Sequence, residues 1–310
     1  MAQSSAALRI GTRGSPLALA QAREVRDRLA LANELDPQSI EIHVIRTTGD
    51  AVQDRPLTEI GGKGLFTKEI EQALLDGAID VAVHSVKDLP TVLPDGLVLA
   101  ATLPREDVRD AFIGRSVQRL LDLPPGAVVG TASLRRQAMV KRKRPDLDVV
   151  SFRGNVQTRL RKLEDGVVDA TLLAMAGLKR LGLTDVASSV LETDDFLPAV
   201  GQGAIGLETR ARDDTTRALV DRVNDAATLS AVAAERAFLA VLDGSCRTPI
   251  AALGRANPEA FDFRGLIVRP DGSEAFETTR RGDVKDAVAL GRDAGSELKG
   301  RAGPGFFDAR

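Results

Sequence analysis

Tryptophan and tyrosine are absent from this chain, aromatics amount to 3% of its 310 residues, and it has two histidines and one cysteine. Without aromatic platforms there is little on which to stack bases, so single-stranded nucleic acid is disfavoured as a ligand and the core must be aliphatic. One cysteine excludes an internal disulfide and fits a reducing compartment. Two histidines with that cysteine, at positions 43, 84 and 246, make no persuasive metal-binding set. No stretch reaches the ~20 apolar residues of a membrane span, and the opening MAQSSAALRIGTRGSPLALA lacks the apolar core of a signal peptide. A cytoplasmic protein with no membrane partner is expected. The formal charge of -2 exerts no global pull on polyanions, so any anion site must come from local charge.

What is present alternates short apolar runs with amphipathic ones, the mark of an α/β fold with largely parallel sheets. Strands are expected at 7–12, 40–47 and 79–86, with helices at 16–30, where Ser15 caps and Pro16 opens the first turn, and at 64–77. The rhythm restarts near 104, with strands at 127–131, 148–152 and 168–174 and helices at 134–144 and 156–166. The last third differs. A helix over 226–244 precedes a hairpin over 261–281, turning at Pro270-Asp271-Gly272, and a closing helix over 285–299. The segments AATLPRED (100–107) and FLPAVGQGAIGLE (196–208) mark chain crossings. Three domains are therefore expected: 1–103 with 204–221, 104–203, and a small α+β domain over 222–310.

Several strand ends run into a hydroxyl or glycine and then a helix start with a cation beside it. GTRGSP places Arg13 and Ser15 there; GTASLRRQ places Thr131, Ser133, Arg135 and Arg136; FRGNVQTR places Arg153 and Arg159. Helix N-termini and arginines both favour anions, and three such ends in one chain point to a polyanionic ligand, although each alone reads as a capped helix with solvated charge. Residues 135–162 hold ten basic against two acidic side chains. Nucleic acid is the competing ligand for that charge, but no recognised nucleic-acid motif appears and Phe152 is the only aromatic there. GGKGLFTKE lacks P-loop spacing and reads as a glycine-rich loop offering Lys63. In DVAVHSVKDLP, Ser85, Lys87 and Asp88 follow a buried strand at its carboxyl end, where α/β sheets place ligands, so Asp88 is the candidate catalytic carboxylate, against the plainer reading of a turn cap. His43 and His84 read as structural. Cys246 could be a small buried hydrophobe, but a Gly-Ser turn before it and Arg247 after it favour an exposed thiolate suited to covalent attachment or to a nucleophilic role.

Taken together, RIGTRGSPLALAQ, GGKGLFTKEIE, VHSVKDLPT, GTASLRRQ, RGNVQTRL, LPAVGQGAIGLE and GSCRTPI resemble the porphobilinogen deaminase (hydroxymethylbilane synthase) family of tetrapyrrole biosynthesis, in order from about residue 8 to 250. The resemblance implies two domains like those of type II periplasmic binding proteins, joined by two crossing segments, plus a small α+β C-terminal domain carrying a cysteine. It implies a transferase that condenses four porphobilinogen molecules head to tail on a dipyrromethane cofactor, releases ammonia and then hydrolyses off hydroxymethylbilane. Cys246 would hold the cofactor by a thioether and Asp88 would be catalytic. Arg13, Ser15, Lys63, Ser85, Lys87, Thr131, Ser133, Arg135, Arg136, Arg153, Arg159, Arg180 and Gln202 would bind cofactor and substrate carboxylates. Ser245 stands where the family is expected more often to have glycine. A monomer is expected. A non-enzymatic two-lobed binder of a polycarboxylate is the alternative, for which Asp88 and Cys246 would be superfluous.

Overall fold

The computed structural model describes residues 7–51, 65–244 and 248–308. In chain order the elements are β1 (Leu8–Thr12), α1 (Pro16–Asn33), β2 (Ile40–Val44), α2 (Thr48–Ala51), α3 (Lys68–Leu75), β3 (Val81–Ser85), β4 (Leu97–Thr102), β5 (Asp110–Gly114), β6 (Val128–Gly130), α4 (Leu134–Lys143), β7 (Asp148–Val150), α5 (Val156–Glu164), β8 (Ala170–Ala174), α6 (Met175–Arg180), β9 (Ser189–Leu191), β10 (Ile205–Arg210), α7 (Asp214–Asp221), α8 (Ala226–Val241), β11 (Ile250–Ala256), β12 (Phe261–Val268), β13 (Ala275–Gly282) and α9 (Ala287–Ala302). They form two compact units, one of residues 7–51, 65–105 and 204–229, the other of residues 106–203 and 230–308.

The first unit is built on a five-stranded sheet of order β2-β1-β3-β10-β4. Helix α1 begins where Ser15 Oγ accepts the Ala18 N–H and Pro16 needs no partner for its nitrogen. Its Ala22, Val25 and Leu29 pack with Leu8, Ile10, Val81, Val83 and Leu207 of the sheet. Ile70 and Leu74 of α3 pack separately with Ile79, Ala82 and Leu97. Each of the buried valine, leucine and isoleucine side chains among these contributes about 1.5–3 kcal/mol by leaving water.

The second unit repeats that plan as β7-β6-β8-β5-β9 and adds a three-stranded sheet, β11-β12-β13. Here α4 and α5 are capped by Ser133 and Asn155. Gly154, just before the second cap, has φ +129, and a Cβ there would sit 2.7 Å from Thr158; only glycine suits that entry into α5. Phe112, Val129 and Leu172 of the five-stranded sheet share one apolar cluster with Ala138 and Met139 of α4 and with Leu253 and Val268 of the three-stranded sheet. This common core explains why the C-terminal elements belong to the same compact unit. The β12–β13 turn reinforces it, since a Cβ on Gly272 would lie 2.4 Å from the Arg142 backbone nitrogen. Phe238 of α8 meets Phe263 of β12 edge to face, with ring centroids 5.3 Å apart.

The α/β class and the doubled lobe with a small C-terminal module are as expected. The expectation of largely parallel sheets is corrected. β1 pairs in parallel with β2 and β3, and β6 with β7 and β8, but β10 runs antiparallel to β3 and β4, and β5 antiparallel to β8 and β9. β5 and β10 are the first strands after the chain passes from one unit to the other, so no helical crossover within their own sheet sets their direction.

Candidate active site

In the first unit, β1 and β3 are parallel neighbours, so their carboxyl ends lie at one edge of the sheet. That register brings Arg13 and Ser15, just after β1, to Ser85 and Asp88, at the end of β3. A cavity opens there, lined by Arg13, Ser15, Gln21, Phe66, Thr67, His84, Ser85 and Asp88 among others. The Arg13 guanidinium stacks on Phe66, 4.1 Å from the ring centroid, and its Nη1 lies 3.9 Å from Asp88 Oδ2. Gln21 Nε2 donates to Ser85 Oγ at 2.9 Å, which fixes the serine. The side chain of Asp88 is 38% exposed. A carboxylate open to the cavity, next to a guanidinium held flat by an aromatic ring, can receive a small molecule carrying both a cation and carboxylates.

In the second unit, Thr131 and Ser133 form the mouth of α4. Thr131 Oγ1 accepts the Ser133 N–H at 3.1 Å, and Ser133 Oγ accepts the Arg136 N–H at 3.4 Å. Arg159 Nε donates to the Gly154 carbonyl at 2.9 Å, so the start of α5 is braced by one of its own arginines. Arg153 and Arg159 are half-buried. Arg180, at the end of α6, donates to the Gly203 carbonyl at 3.1 Å.

Arg135 and Arg136 are placed otherwise than exposed charges would be. Both are buried, at 3% and 5% exposure, and both converge on Asp110 of β5, itself fully buried. Arg135 Nη2 and Arg136 Nη2 donate to its two oxygens at 2.6 and 2.7 Å, and Gln202 Nε2 donates at 2.9 Å. Arg135 also donates to the Leu197 carbonyl and Arg136 to that of Leu172. Burial alone would raise the Asp110 pKa, but the two guanidiniums outweigh it and hold the carboxyl well below the usual range. The sequence alone did not single out Asp110: it is one of three acids within EDVRD, and nothing local distinguishes it. Gln21 and Phe66 were likewise missed. Lys63 and Cys246 lie outside the described residues.

Dipyrromethane, the cofactor implied by the resemblance, carries acetate and propionate groups, so a site for it needs several carboxylate donors. The donor chemistry suits carboxylates in each unit taken by itself: in the second, the α4 mouth with Thr131 and Ser133 and the α5 start with Arg153 and Arg159, and in the first, the Arg13–Ser15 end, supply guanidinium, hydroxyl and helix N–H groups. Among the described residues no group of histidine, cysteine and carboxylates could hold a metal, and no helix is long and apolar enough to cross a membrane.

Comparison with known proteins adds direct evidence. The family pattern described as porphobilinogen deaminase, dipyromethane cofactor binding domain, matches residues 8–218, and that of the porphobilinogen deaminase C-terminal domain matches residues 229–300. A porphobilinogen deaminase of Nitrobacter winogradskyi is 65% identical over 298 residues, 96% of this chain and 94% of that one. A chloroplastic porphobilinogen deaminase of Oryza sativa subsp. japonica is 58% identical over 307 residues, 97% of this chain and 86% of the other. Among solved structures, an ABC transporter periplasmic substrate-binding protein from Coxiella burnetii superposes with a TM-score of 0.46 at 16% identity, covering 72% of this chain and 94% of that one.

Proposed function

Since the chain belongs to the porphobilinogen deaminase family, we propose that the cavity of the first unit is where porphobilinogen loses its amino group, with Asp88 as the catalytic carboxylate. The enzyme is a transferase of tetrapyrrole biosynthesis and its substrate is porphobilinogen. The observation that carries the site reading is the meeting of Asp88 and Arg13 at one cavity wall, 3.9 Å apart. Arg13 and Ser15 bind substrate carboxylate, and Lys87 adds charge from the same turn as Asp88. With the substrate so held, Asp88 sets a negative charge beside the positive charge that develops as the C–N bond breaks and ammonia departs. Ser85, fixed by Gln21, orients the ring, and the stacked Arg13 keeps its fork in one plane.

The cofactor is dipyrromethane. When bound, it supplies the pyrrole to which the first incoming unit is joined. Thr131, Ser133, Arg153 and Arg159 hold its carboxylates, with Lys63 contributing from its glycine-rich loop. Arg135, Arg136 and Gln202 act chiefly by keeping the α4 mouth in place through Asp110, and Arg180 braces Gly203. Attachment is through Cys246. The division into parts spanning 1–103 with 204–221, 104–203 and 222–310, the monomeric state and a cytoplasmic location belong to this same proposal. Support for the three-part division is that each part holds one sheet, although the second and third share a core.

Intact mass tests it. Purified wild-type protein is expected to exceed its sequence mass by one dipyrromethane, and Cys246→Ala to lack that increment. Active wild-type protein of unmodified mass, or an adduct retained by the variant, overturns the attachment.

A further inference from the structure

Three ionisable side chains of the first unit are buried together beside the cavity and take no part in the roles above. His84 of β3 and Glu208 of β10 project from the same face of the sheet, because Gly206 is in register with His84 and Glu208 with Ala82. His84 Nε2 lies 3.1 Å from Glu208 Oε2, with exposures of 5% and 0%. Glu71 of α3, the helix packed on that face, is 6% exposed and close enough for the charges of both to act on it. Glu71 Oε1, Glu208 Oε1 and the hydroxyl of Thr67 have no hydrogen-bond partner among the described residues.

Two buried carboxylates with unsatisfied oxygens cannot both be ionised cheaply, since an unpaired buried polar group is destabilising and more so when charged. Burial raises the Glu71 pKa, and the charges of Glu208 and Glu69 add to the effect. Thr67 and His84 pull the other way without cancelling it, the Thr67 hydroxyl being near but outside hydrogen-bond geometry. Of the other charged side chains on the neighbouring elements, Lys68 of α3 is exposed, and Arg9, Arg210 and Glu69 are engaged elsewhere. Arg9 of β1 and Arg210 of β10 pair with Asp80 at 2.8 and 3.2 Å, Arg210 also pairs with Asp213 at 2.6 Å, and Glu69 is bonded by Thr48. His84 and Thr67 line the cavity that Asp88 and Arg13 line. Through His84 the cluster is thus a buried ionisable group that borders this cavity.

We propose that Glu71, His84 and Glu208 form a proton store for the deamination, with His84 as the member that meets the cavity and the two glutamates as positioning residues behind it. The inference rests on the proposed deamination site. A proton leaves the His84 imidazolium for the substrate amine, and the C–N electron pair then departs with nitrogen, which carries that proton away in ammonia. The Glu71 carboxyl proton restores His84, and one proton from solvent restores Glu71. Glu208, 3.1 Å from Nε2, fixes the imidazole ring.

With two histidines in the chain, imidazole ¹⁵N spectra of the full-length holoprotein are readily assigned, His43→Gln removing one of the two signals. Glu208→Gln removes the carboxylate beside the imidazole, so His84 is expected to stay protonated to higher pH in wild type than in that variant, by at least about half a pH unit, the scale of one nearby buried charge. Glu71→Gln, neutral like the carboxyl it replaces, should leave that titration nearly in place while removing the stored proton. Glu71→Gln and Glu208→Gln are each expected to lower kcat about tenfold or more with KM little changed, and Glu71→Gln to move the alkaline limb of kcat to lower pH. Unchanged His84 titration in Glu208→Gln overturns the coupling; a shifted titration with an unmoved kcat profile overturns the role in turnover. A further measurement needs no variant. Wild-type protein should keep an infrared band of a protonated carboxyl at about pH 6, where ordinary Asp and Glu are ionised, and its absence overturns the store. Because titration and infrared are read without substrate, their failure is distinguishable from failure of the mass test of Cys246.

Discussion

Asp110→Asn removes the charge on which two buried arginines converge while keeping nearly the same volume. Asp110 accepts from Arg135 at 2.6 Å, from Arg136 at 2.7 and 3.2 Å and from Gln202 at 2.9 Å, and is fully buried. The amide that replaces it offers one acceptor oxygen and directs an NH₂ group at the guanidiniums, so two positive charges lose their counter-charge without access to water. Breaking a buried pair by removing one partner costs about 3–5 kcal/mol. The carbonyls of Leu197 and Leu172 still accept from the two arginines, which argues for the lower part of that range. Against a net stability of about 5–15 kcal/mol this is a large loss, and at about 2–4 °C per kcal/mol it lowers the thermal midpoint by about 6–20 °C. Arg135→Leu is expected to act in the same direction, contrary to what an exposed ligand-binding arginine would do. Calorimetry on variants matched for cofactor content by mass is the assay. A midpoint within about 1 °C of wild type for Asp110→Asn, the effect of an ordinary surface change, would refute the reasoning.

Asp88→Asn should acquire cofactor normally yet release ammonia at least ~100-fold more slowly at saturating porphobilinogen; near-wild-type release would return Asp88 to a turn cap. Glu235, fully buried in α8, accepts the N–H groups of Gly201 at 2.7 Å and Gly254 at 2.8 Å, so Glu235→Ala orphans both and should cost about 3 kcal/mol in denaturant unfolding, with an unaltered midpoint counting against it. The depressed Asp110 pKa fixes the sign of one pH effect: its contribution is fully present above the ordinary Asp value near 4, and is lost as pH falls through the lower folded value. Wild-type thermal midpoints should therefore fall more steeply below about pH 4 than those of Asp110→Asn, and parallel curves would contradict the linkage.

Where information is local, the sequence was legible. Ser15 and Pro16 mark the start of α1, Ser133 and Asn155 those of α4 and α5, and in each case the cap accepts the N–H three residues on. The Pro270-Asp271-Gly272 turn lies between β12 and β13 as expected, because Gly272 has positive φ and Ser273 is bound by Asp271. The signals at the ends of β1 and β3 also brought Arg13, Ser15, Ser85 and Asp88 to one cavity. What was not legible depends on partners far along the chain. Strand direction at β5 and β10 follows from which sheet the chain enters, and a short apolar run carries no arrow. The exposure of Arg135 and Arg136 is decided by an aspartate 25 and 26 residues earlier and a glutamine beyond residue 200, so a basic run that looks solvated in sequence has its first two members in the core. His84 and Glu208 are 124 residues apart and meet only because β10 returns antiparallel beside β3. The same strand insertion that spoiled the expectation of parallel sheets therefore builds the buried pair beside the cavity. A reading confined to local motifs assigns His84 to the core, which its burial bears out, and misses that the core at this point is ionisable.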